Sequence, residues 1–138
     1  MRAVFQSVVL ADWGQTEMSG EDWSYDDVVE DTHPFRAADR TQIHRGGRLV
    51  GLGFTSAREH ASYAAASNFL HRHVRSDMPR SAGDLTVQTR NAAGALVTTT
   101  TITDAVVRIT GTRRVGVTTF VSYAARGTLT ANPAEQTG

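Results

Sequence analysis

The sequence contains no cysteine and no lysine among its 138 residues. Without cysteine there is no disulfide framework, no thiolate nucleophile and no cysteine-type zinc site. All 14 basic residues are arginine, which we attribute to codon usage in a GC-rich genome. No apolar run approaches the ~20 residues of a membrane-spanning helix, and the apolar part of residues 1–10 is too short for a signal peptide. We therefore expect a soluble protein with no cleaved signal and no membrane partner.

Motifs for catalysis and for metal or phosphate binding are also missing. Residues 22–31 are acidic but do not follow the calcium-loop order of alternate ligands, a glycine and a late glutamate. Gly46 and Gly47 lack the lysine and the serine or threonine that a phosphate loop requires. No Gly-x-Ser-x-Gly elbow locates a serine nucleophile. We predict a protein that is not an enzyme and that holds no cofactor and no metal.

What the chain does have is an uneven distribution of charge. Its length is that of one domain, which we place at residues 1–130, followed by a flexible tail at residues 131–138. The formal net charge is zero, but residues 1–40 hold nine acids against three arginines, and residues 41–138 hold five acids against eleven arginines. Such a chain is a candidate for stacking on copies of itself and a poor candidate for binding nucleic acid through a broad basic face.

Residues 83–130 carry the clearest structural pattern. β-Branched and aromatic residues dominate there, and glycine and asparagine recur at hairpin intervals, which is typical of consecutive antiparallel strands. We predict strands at residues 83–90, 95–112 and 115–130, with a turn at residues 91–94 and a connection at Arg113 and Arg114.

Shorter strands are predicted before this region, at residues 2–10, 41–44 and 48–54, with a turn or bulge at residues 45–47. Alternation in the last of them places Val50, Leu52 and Phe54 on the core face. Gly51 and Gly53 indicate close packing on the outer face, or a bend.

One amphipathic helix is predicted over residues 56–75. Ser56 and Glu59 fit a capping box at its start. The predicted apolar face consists of Tyr63, Ala65, Ala66, Phe69, Leu70 and Val74, with His73 at its margin. His60 and His71 fall on the solvent side, about three turns or ~16 Å apart, which is too far for one metal ion.

Residues 11–35 form a distinct acidic segment. Eight acids and no basic residue lie between residues 12 and 31, and Trp13, Trp23 and Tyr25 are interleaved with them. The composition favours a solvated acidic loop or arm. Two tryptophans indicate, in addition, packing on the body of the protein or on a neighbour. Asp26 and Asp27 can begin a short edge strand.

The order of strands, one helix and three or four further strands predicts an α+β domain. Its expected form is a mainly antiparallel β-sandwich or half-open barrel with the helix flanking it. The following segments resemble small tail proteins of bacteriophages and prophages: residues 45–54, the helix ending near His73, the turn at residues 78–85, and Val115, Gly116 and Val117 with Tyr123. The resemblance covers residues 41–130.

The resemblance implies a structural subunit of a phage tail or related contractile injection machine, assembled in the bacterial cytoplasm and located in the virion. Tail-tube and distal-tail proteins share a β-sandwich with a flanking helix and form hexameric rings, joined edge to edge around a lumen through which DNA passes as non-specific cargo. The partners would be copies of the chain and neighbouring tail proteins, with the acidic segment lining the channel or reaching a neighbour. We predict these inter-subunit contact residues: Trp13, Trp23, Tyr25, Asp26, Asp27, Arg113 and Arg114.

Two other functions are compatible with the sequence. One is a small enzyme or ligand-binding domain with a pocket between helix and sheet, lined by Trp23, Asp31, His33 and His44. The other is a monomeric adaptor that binds a partner through the acidic arm. The mass in solution distinguishes the first function from the other two. A ring-forming subunit assembles into large particles or polymers, whereas a small enzyme or a monomeric adaptor does not.

Overall fold

The computed structural model of the protein describes residues 1–13, 20–32, 41–91, 93–129 and 134–135. The described part is mostly antiparallel sheet with one helix, as predicted. The elements in chain order are β1 Arg2–Phe5, β2 Val8–Ala11, β3 Asp22–Thr32, β4 Thr41–Glu59, α1 Tyr63–Arg72, β5 Gly83–Arg90, β6 Leu96–Val115, β7 Thr118–Leu129 and β8 Ala134–Glu135. The strand order across the sheet is β2-β1-β5-β6-β7-β4-β3, and β8, inside the predicted tail, pairs with β6.

The three strands predicted in the C-terminal half are confirmed. β5 has the predicted bounds, and β6 and β7 are antiparallel partners. The predicted turn after β5 is closed by a hydrogen bond from the Gly94 amide to the Asn91 carbonyl, and Gly94 has the positive φ of 87° that glycine adopts at low cost. The predicted connection at Arg113 and Arg114 is wrong, because β6 continues through both residues and the chain turns at Gly116 and Val117.

The first predicted strand, residues 2–10, is two strands instead of one. Phe5 pairs directly with Val8, so the chain reverses at Gln6 and Ser7, whose φ values of 47° and 73° are both positive. Positive φ at both central residues is the property of a two-residue hairpin turn that follows the strand twist. The turn lacks glycine, and the sequence therefore gave no signal for it.

β4 is a single strand of 19 residues, and the turn or bulge predicted at residues 45–47 is a bulge within it. Asp27 pairs with Arg48 and Val29 with His44, so that residues 45–47 of β4 lie opposite a single residue of β3. The alternation predicted for β4 is confirmed, because Val50, Leu52 and Phe54 are buried. β3 pairs with β4 over its whole length, and half of the segment predicted as an acidic loop or arm is therefore strand. Residues 14–19 and 33–35 of that segment lie outside the described residues.

The helix begins later than predicted. Ser56 and Glu59 belong to β4, where they pair with Val121 and Thr118 of β7. Sheet pairing thus prevails over the local capping pattern. The helix is capped by Ser62, whose Oγ accepts a hydrogen bond from the Ala65 amide at 3.1 Å.

The apolar face of the helix is narrower than predicted. Ala66 is buried and Phe69 and Leu70 pack partly on the core, but Tyr63 and Val74 are exposed. After α1 the chain forms one π-helical turn, His73–Asp77. His73 is buried like Ala66, which lies two turns earlier on the same face, and Val74 is exposed.

The core is one cluster that draws on both parts of the sheet. It contains Ala3, Phe5, Leu10, Ala11, Val50, Leu52, Phe54, Leu85, Val87, Ile102, Ala105, Val107, Val121, Tyr123 and Ala125. β6 joins the two parts: its first half pairs with β5 and its second half with β7. The halves meet at Asp104, which has a φ of 52° inside an irregularity of the pairing between Thr103 and Val106.

Candidate functional site

β3 and β4 extend beyond the end of β7, the other strand that pairs with β4. β4 pairs with β7 from Glu59 to Arg48, where β7 ends at Leu129. β3 follows β4 further, as far as the pair Thr32 and Thr41. Residues 29–32 and 41–47 therefore form a two-stranded ribbon, and no third strand of the described part of the chain pairs with it. A two-stranded hairpin is marginally stable in water on its own.

Two predicted contact residues lie at the base of this ribbon. Trp23 and Tyr25 of β3 stack with their ring centres 6.1 Å apart and an angle of 6° between the planes. The Trp23 Nε1 donates a hydrogen bond to Glu21 Oε2 at 2.7 Å, and the Trp23 ring packs against the core. Tyr25 is 55% exposed. Trp23 thus anchors β3 on the core, and Tyr25, stacked on it, offers an exposed aromatic surface.

Asp26 and Asp27 continue β3 beyond this aromatic pair, opposite Leu49 and Arg48 of β4. Four of the seven predicted contact residues therefore lie within residues 23–27 of one edge strand. The strand order leaves β3 with one neighbour, so its other side presents unpaired backbone amides and carbonyls among the described residues.

The other three predicted contact residues lie elsewhere. Trp13 follows β2, the strand at the other end of the strand order, and the Arg90 guanidinium lies 3.9 Å from its ring centre. Arg113 lies over Phe120 at 4.4 Å and Arg114 is 5.9 Å from the Tyr63 ring centre. The two arginines occupy the end of the sheet opposite the ribbon.

The residues of the predicted pocket are not brought together beneath the helix. Asp31 and His44 belong to the ribbon, and His33 lies outside the described residues. α1 and its π-helical turn pack at the other end of β4. There Phe69, His73 and Tyr123 fill the space between helix and sheet, with ring centres 5.1 Å apart for the first pair and 5.8 Å for the second.

His73 is the polar residue whose role sequence reasoning missed. It was predicted at the margin of the core, but it is 2% exposed. Its Nε2 lies 2.6 Å from the Tyr123 hydroxyl and its Nδ1 lies 3.6 Å from Asp77 Oδ2. Burial, and then the positive charge of Arg58, lower the pKa of His73, while Asp77 partly opposes them. Burial also raises the pKa of Tyr123 to about 12.

Arg58 connects this cluster to the edge strand β2. Its Nη2 donates hydrogen bonds to the carbonyls of Val9 and Leu10, and its guanidinium lies 4.9 Å from the Phe69 ring centre. His60, predicted on the solvent side, instead bonds through Nε2 to Thr119 Oγ1 at 2.9 Å. We interpret the cluster as the attachment of the helix to the sheet.

Shallow grooves cross the outer face of β3, β4, β7 and β6, the face turned away from the core. They have volumes of about 340 and 540 Å³ and share Ser24, Gly51 and Arg126 as lining residues. A Cβ atom placed on Gly51 would come 2.5 Å from Ser24 Oγ, which confirms the close packing predicted at this glycine. The side chain that packs closely on Gly51 is Ser24, which belongs to β3 of the same chain.

Within the described ranges no group of three or more histidine, cysteine or acidic side chains could hold a metal ion. No helix in that part of the chain is long and apolar enough to cross a membrane. No protein-family model, no curated protein and no solved structure matches the chain. Its function is therefore inferred from its own geometry.

Proposed function

We propose that the chain is a structural subunit that assembles with copies of itself into rings, hexameric in the form that the resemblance to phage tail proteins implies, as part of a phage tail or related injection machine. The ribbon of residues 29–32 and 41–47 carries this proposal. Chain that extends beyond its own sheet gains stability when a neighbouring subunit packs on it. The other partners are adjoining tail proteins, and DNA passes through the assembly as cargo.

The free edge of β3 supports an edge-to-edge contact. An edge strand of 11 residues is long, and proteins ordinarily cover or shorten such an edge. A second chain that adds a strand there would pair the free amides and carbonyls. Such a contact joins two different surfaces of the subunit, and head-to-tail contacts of this kind close into rings.

The acids of β3 support selectivity in that contact. Asp22, Asp26, Asp27, Glu30 and Asp31 all lie in the strand, which contains no basic residue. Charge along an edge discourages pairing with any passing strand, so the favoured partner is a basic surface. Eleven arginines of the chain lie in residues 41–138, and a second copy therefore supplies such a surface.

A sandwich or half-open barrel is the finer architecture that we propose. β6 takes part in both halves of the sheet, and one core cluster contains residues of both. Arg58 spans from β4 to the edge strand β2. These contacts are expected where a sheet folds over on itself, with the two halves enclosing the core.

The test is the solution mass of the purified protein and of a variant without the ribbon. Because Asp27 and Arg48 are paired, an Asn-Gly turn can replace residues 28–47 and leave every described core residue in place. We expect the full chain to form rings, larger at low salt, and the shortened variant to fold but to form no rings. Light scattering gives the mass, and circular dichroism and thermal denaturation verify the fold. A full chain with the mass of one subunit at every concentration and salt would overturn the proposal.

A further inference from the structure

The outer face of β3, β4, β7 and β6 has small residues at its centre and opposite charges at its two sides. The strand register aligns two rows of outward residues on this face: Asp22, Gly53, Ala124 and Arg108 in one row, and Ser24, Gly51, Arg126 and Val106 in the next. Asp22 is exposed on the β3 side, and Arg108 and Arg126 are exposed on the β6 and β7 side. Gly51, Gly53 and Ala124 thus leave little side chain on the central strands, where Arg126 is the long exception, and the charge is unequal across the strands.

Apolar side chains are also exposed on this face. Val106 is 56% exposed. Leu49, which precedes Gly51 and Gly53 on the same side of β4, is 49% exposed. Four strands lie side by side over residues 49–53 of β4 and three over residues 54–57, because β3 begins at Asp22 opposite Gly53. At the usual strand spacings this is an area of roughly 500 Å². Each partner contributes ~800 Å² of accessible surface to a standard interface.

We propose that this face binds the same face of a second copy of the chain, about a two-fold axis parallel to the strands. Rotation about that axis places β3 of one copy over β6 of the other, and Asp22 then faces Arg108 and Arg126 twice, once on each side. A two-fold axis across the strands would place β3 over β3, with acid against acid. The charge pattern therefore selects the orientation as well as the partner.

The glycines favour the same arrangement. Gly51 and Gly53 lie near the axis, where the two sheets meet back to back. Sheets normally pack about 10 Å apart because side chains fill the space between them. In the proposed arrangement Gly53 of one copy faces Ala124 of the other, so the backbones can approach closely in this row. Gly51 leaves room for Arg126 of the other copy, whose long side chain extends towards the acid at the β3 margin.

This contact rests on the proposed self-assembly but uses a different surface. Ring closure uses the β3 edge and the ribbon, whereas the two-fold contact uses the outer face of the sheet. A subunit with both surfaces can form a ring and also join two rings, or two subunits, back to back.

Two charge variants test the contact. The first carries Arg108→Asp and Arg126→Asp, and the second carries Asp22→Arg. We expect each variant alone to bind its own copies at least about tenfold more weakly than wild type, since like charges meet. An equimolar mixture restores the pairing, because both sets of charges are again opposite. Sedimentation equilibrium measures the dissociation constants.

A matched control places the same charges elsewhere. Arg75 and Arg80 are exposed and lie outside this face. The variant Arg75→Asp with Arg80→Asp is expected to pair like wild type. If the Arg108 and Arg126 variant also pairs like wild type, or if the mixture fails to restore pairing, the proposal is wrong.

Gly53→Val separates the contact from the stability of the subunit. A Cβ atom at Gly53 would lie 3.8 Å from Asp22 Cβ and 3.9 Å from the Tyr123 carbonyl oxygen, which are ordinary contacts. Valine favours strands, so we expect an unchanged or higher melting temperature. The side chain would hold the two sheets apart, and we expect pairing at least about tenfold weaker. Pairing of wild-type strength in this variant would overturn the proposal.

The wild-type mass distinguishes failure of this contact from failure of ring assembly. A single-subunit mass at every concentration contradicts both. Rings that form equally well in the Arg108 and Arg126 variant, with no change in pairing, contradict the two-fold contact alone. A wild-type dimer that this variant abolishes, with no larger assembly, supports the two-fold contact and contradicts the ring.

Discussion

The imidazole Nε2 of His73 and the hydroxyl of Tyr123 lie 2.6 Å apart in the buried space between the helical segment and the sheet. This contact joins the π-helical turn to β7, and Asp77 approaches the other imidazole nitrogen from the same turn at 3.6 Å. Arg58 faces the cluster from β4 and Arg72 from α1. The attachment of the helical segment therefore depends on a titratable imidazole that has both positively and negatively charged side chains around it.

We predict that acid weakens the folded state through His73. Its pKa is lowered in the folded protein, mainly by burial and then by Arg58. The unfolded chain therefore binds a proton first as the pH falls, and the free energy of unfolding falls through the ordinary histidine range and below, by at most about 1.4 kcal/mol per pH unit. Urea denaturation at pH 7, 6 and 5 measures it. His73→Gln should flatten this dependence, and the exposed His71→Gln should not; equal slopes in His73→Gln and wild type would refute the role.

Tyr123→Phe tests the hydrogen bond itself. The substitution leaves the ring contacts with Phe54 and His73 and removes the hydroxyl, so that a buried imidazole nitrogen loses its partner. We expect a loss of about 1–3 kcal/mol in the free energy of unfolding. Tyr63→Phe is the matched control, since Tyr63 is 65% exposed, and should change stability by less than about 0.5 kcal/mol. Similar small effects for both tyrosines would contradict the assignment.

A pair of serine substitutions distinguishes the two possible starts of the helix. Ser62 caps α1, so Ser62→Ala should cost about 0.5–2 kcal/mol. Ser56 is buried in β4 and its Oγ has no hydrogen-bond partner in the described structure, so Ser56→Ala should be neutral or stabilising. Thermal and urea denaturation compare the two variants. The reverse order of effects would support the capping box at Ser56.

Gly127→Ala tests the close approach of β7 to the bend in β6. A Cβ atom at Gly127 would lie 2.8 Å from the Thr103 carbonyl oxygen and 3.1 Å from the Ala105 Cα. Because both are backbone atoms that cannot rotate away, we expect a loss of about 1–3 kcal/mol in unfolding free energy. Gly111→Ala serves as the control, since nothing lies within 4 Å of its Cβ position and alanine is favoured over glycine in a strand. A tolerated Gly127→Ala would show that the bend has room to adjust.

Tyr25→Ser tests the aromatic surface at the base of the ribbon. Tyr25 is more than half exposed, so the variant should fold with a stability close to that of wild type. We expect weaker ring assembly, measured by light scattering at constant salt, because exposed aromatic residues contribute much of the energy of protein interfaces. Val74→Ser is the control at a similarly exposed apolar position on the helical segment. Equal assembly of both variants would remove Tyr25 from the predicted contacts.

The strands were predictable where local sequence and tertiary pairing agree. Val50, Leu52 and Phe54 alternate with small residues, and the same period appears in the core. The errors arose where pairing prevails over a local signal. The capping pattern at Ser56 lies within a strand because β7 pairs along it, and the turn at Gln6 and Ser7 is fixed by the pairing of β1 with β2.

The candidate site was predictable in composition but not in arrangement. The acids and aromatics of residues 11–35 indicated a contact surface, and Trp23, Tyr25, Asp26 and Asp27 do lie along one strand. Trp13 belongs to a different strand edge, which sequence spacing does not encode. The opposite charges on the outer sheet face depend on the order of β3, β4, β7 and β6, which is set by pairing over long distances in the sequence.

The pairing of Ala3 with Val87 means that the edge of β1 that faces β5 stays uncovered during synthesis until residue 87 has left the ribosome. β1 and β2 can form their hairpin early, since their turn is local, but their apolar side chains stay exposed until β5 emerges. The folded body is therefore complete late in synthesis. Until β5 has joined β1 to the remainder of the sheet, exposed apolar side chains and unpaired strand edges leave the growing chain open to premature association.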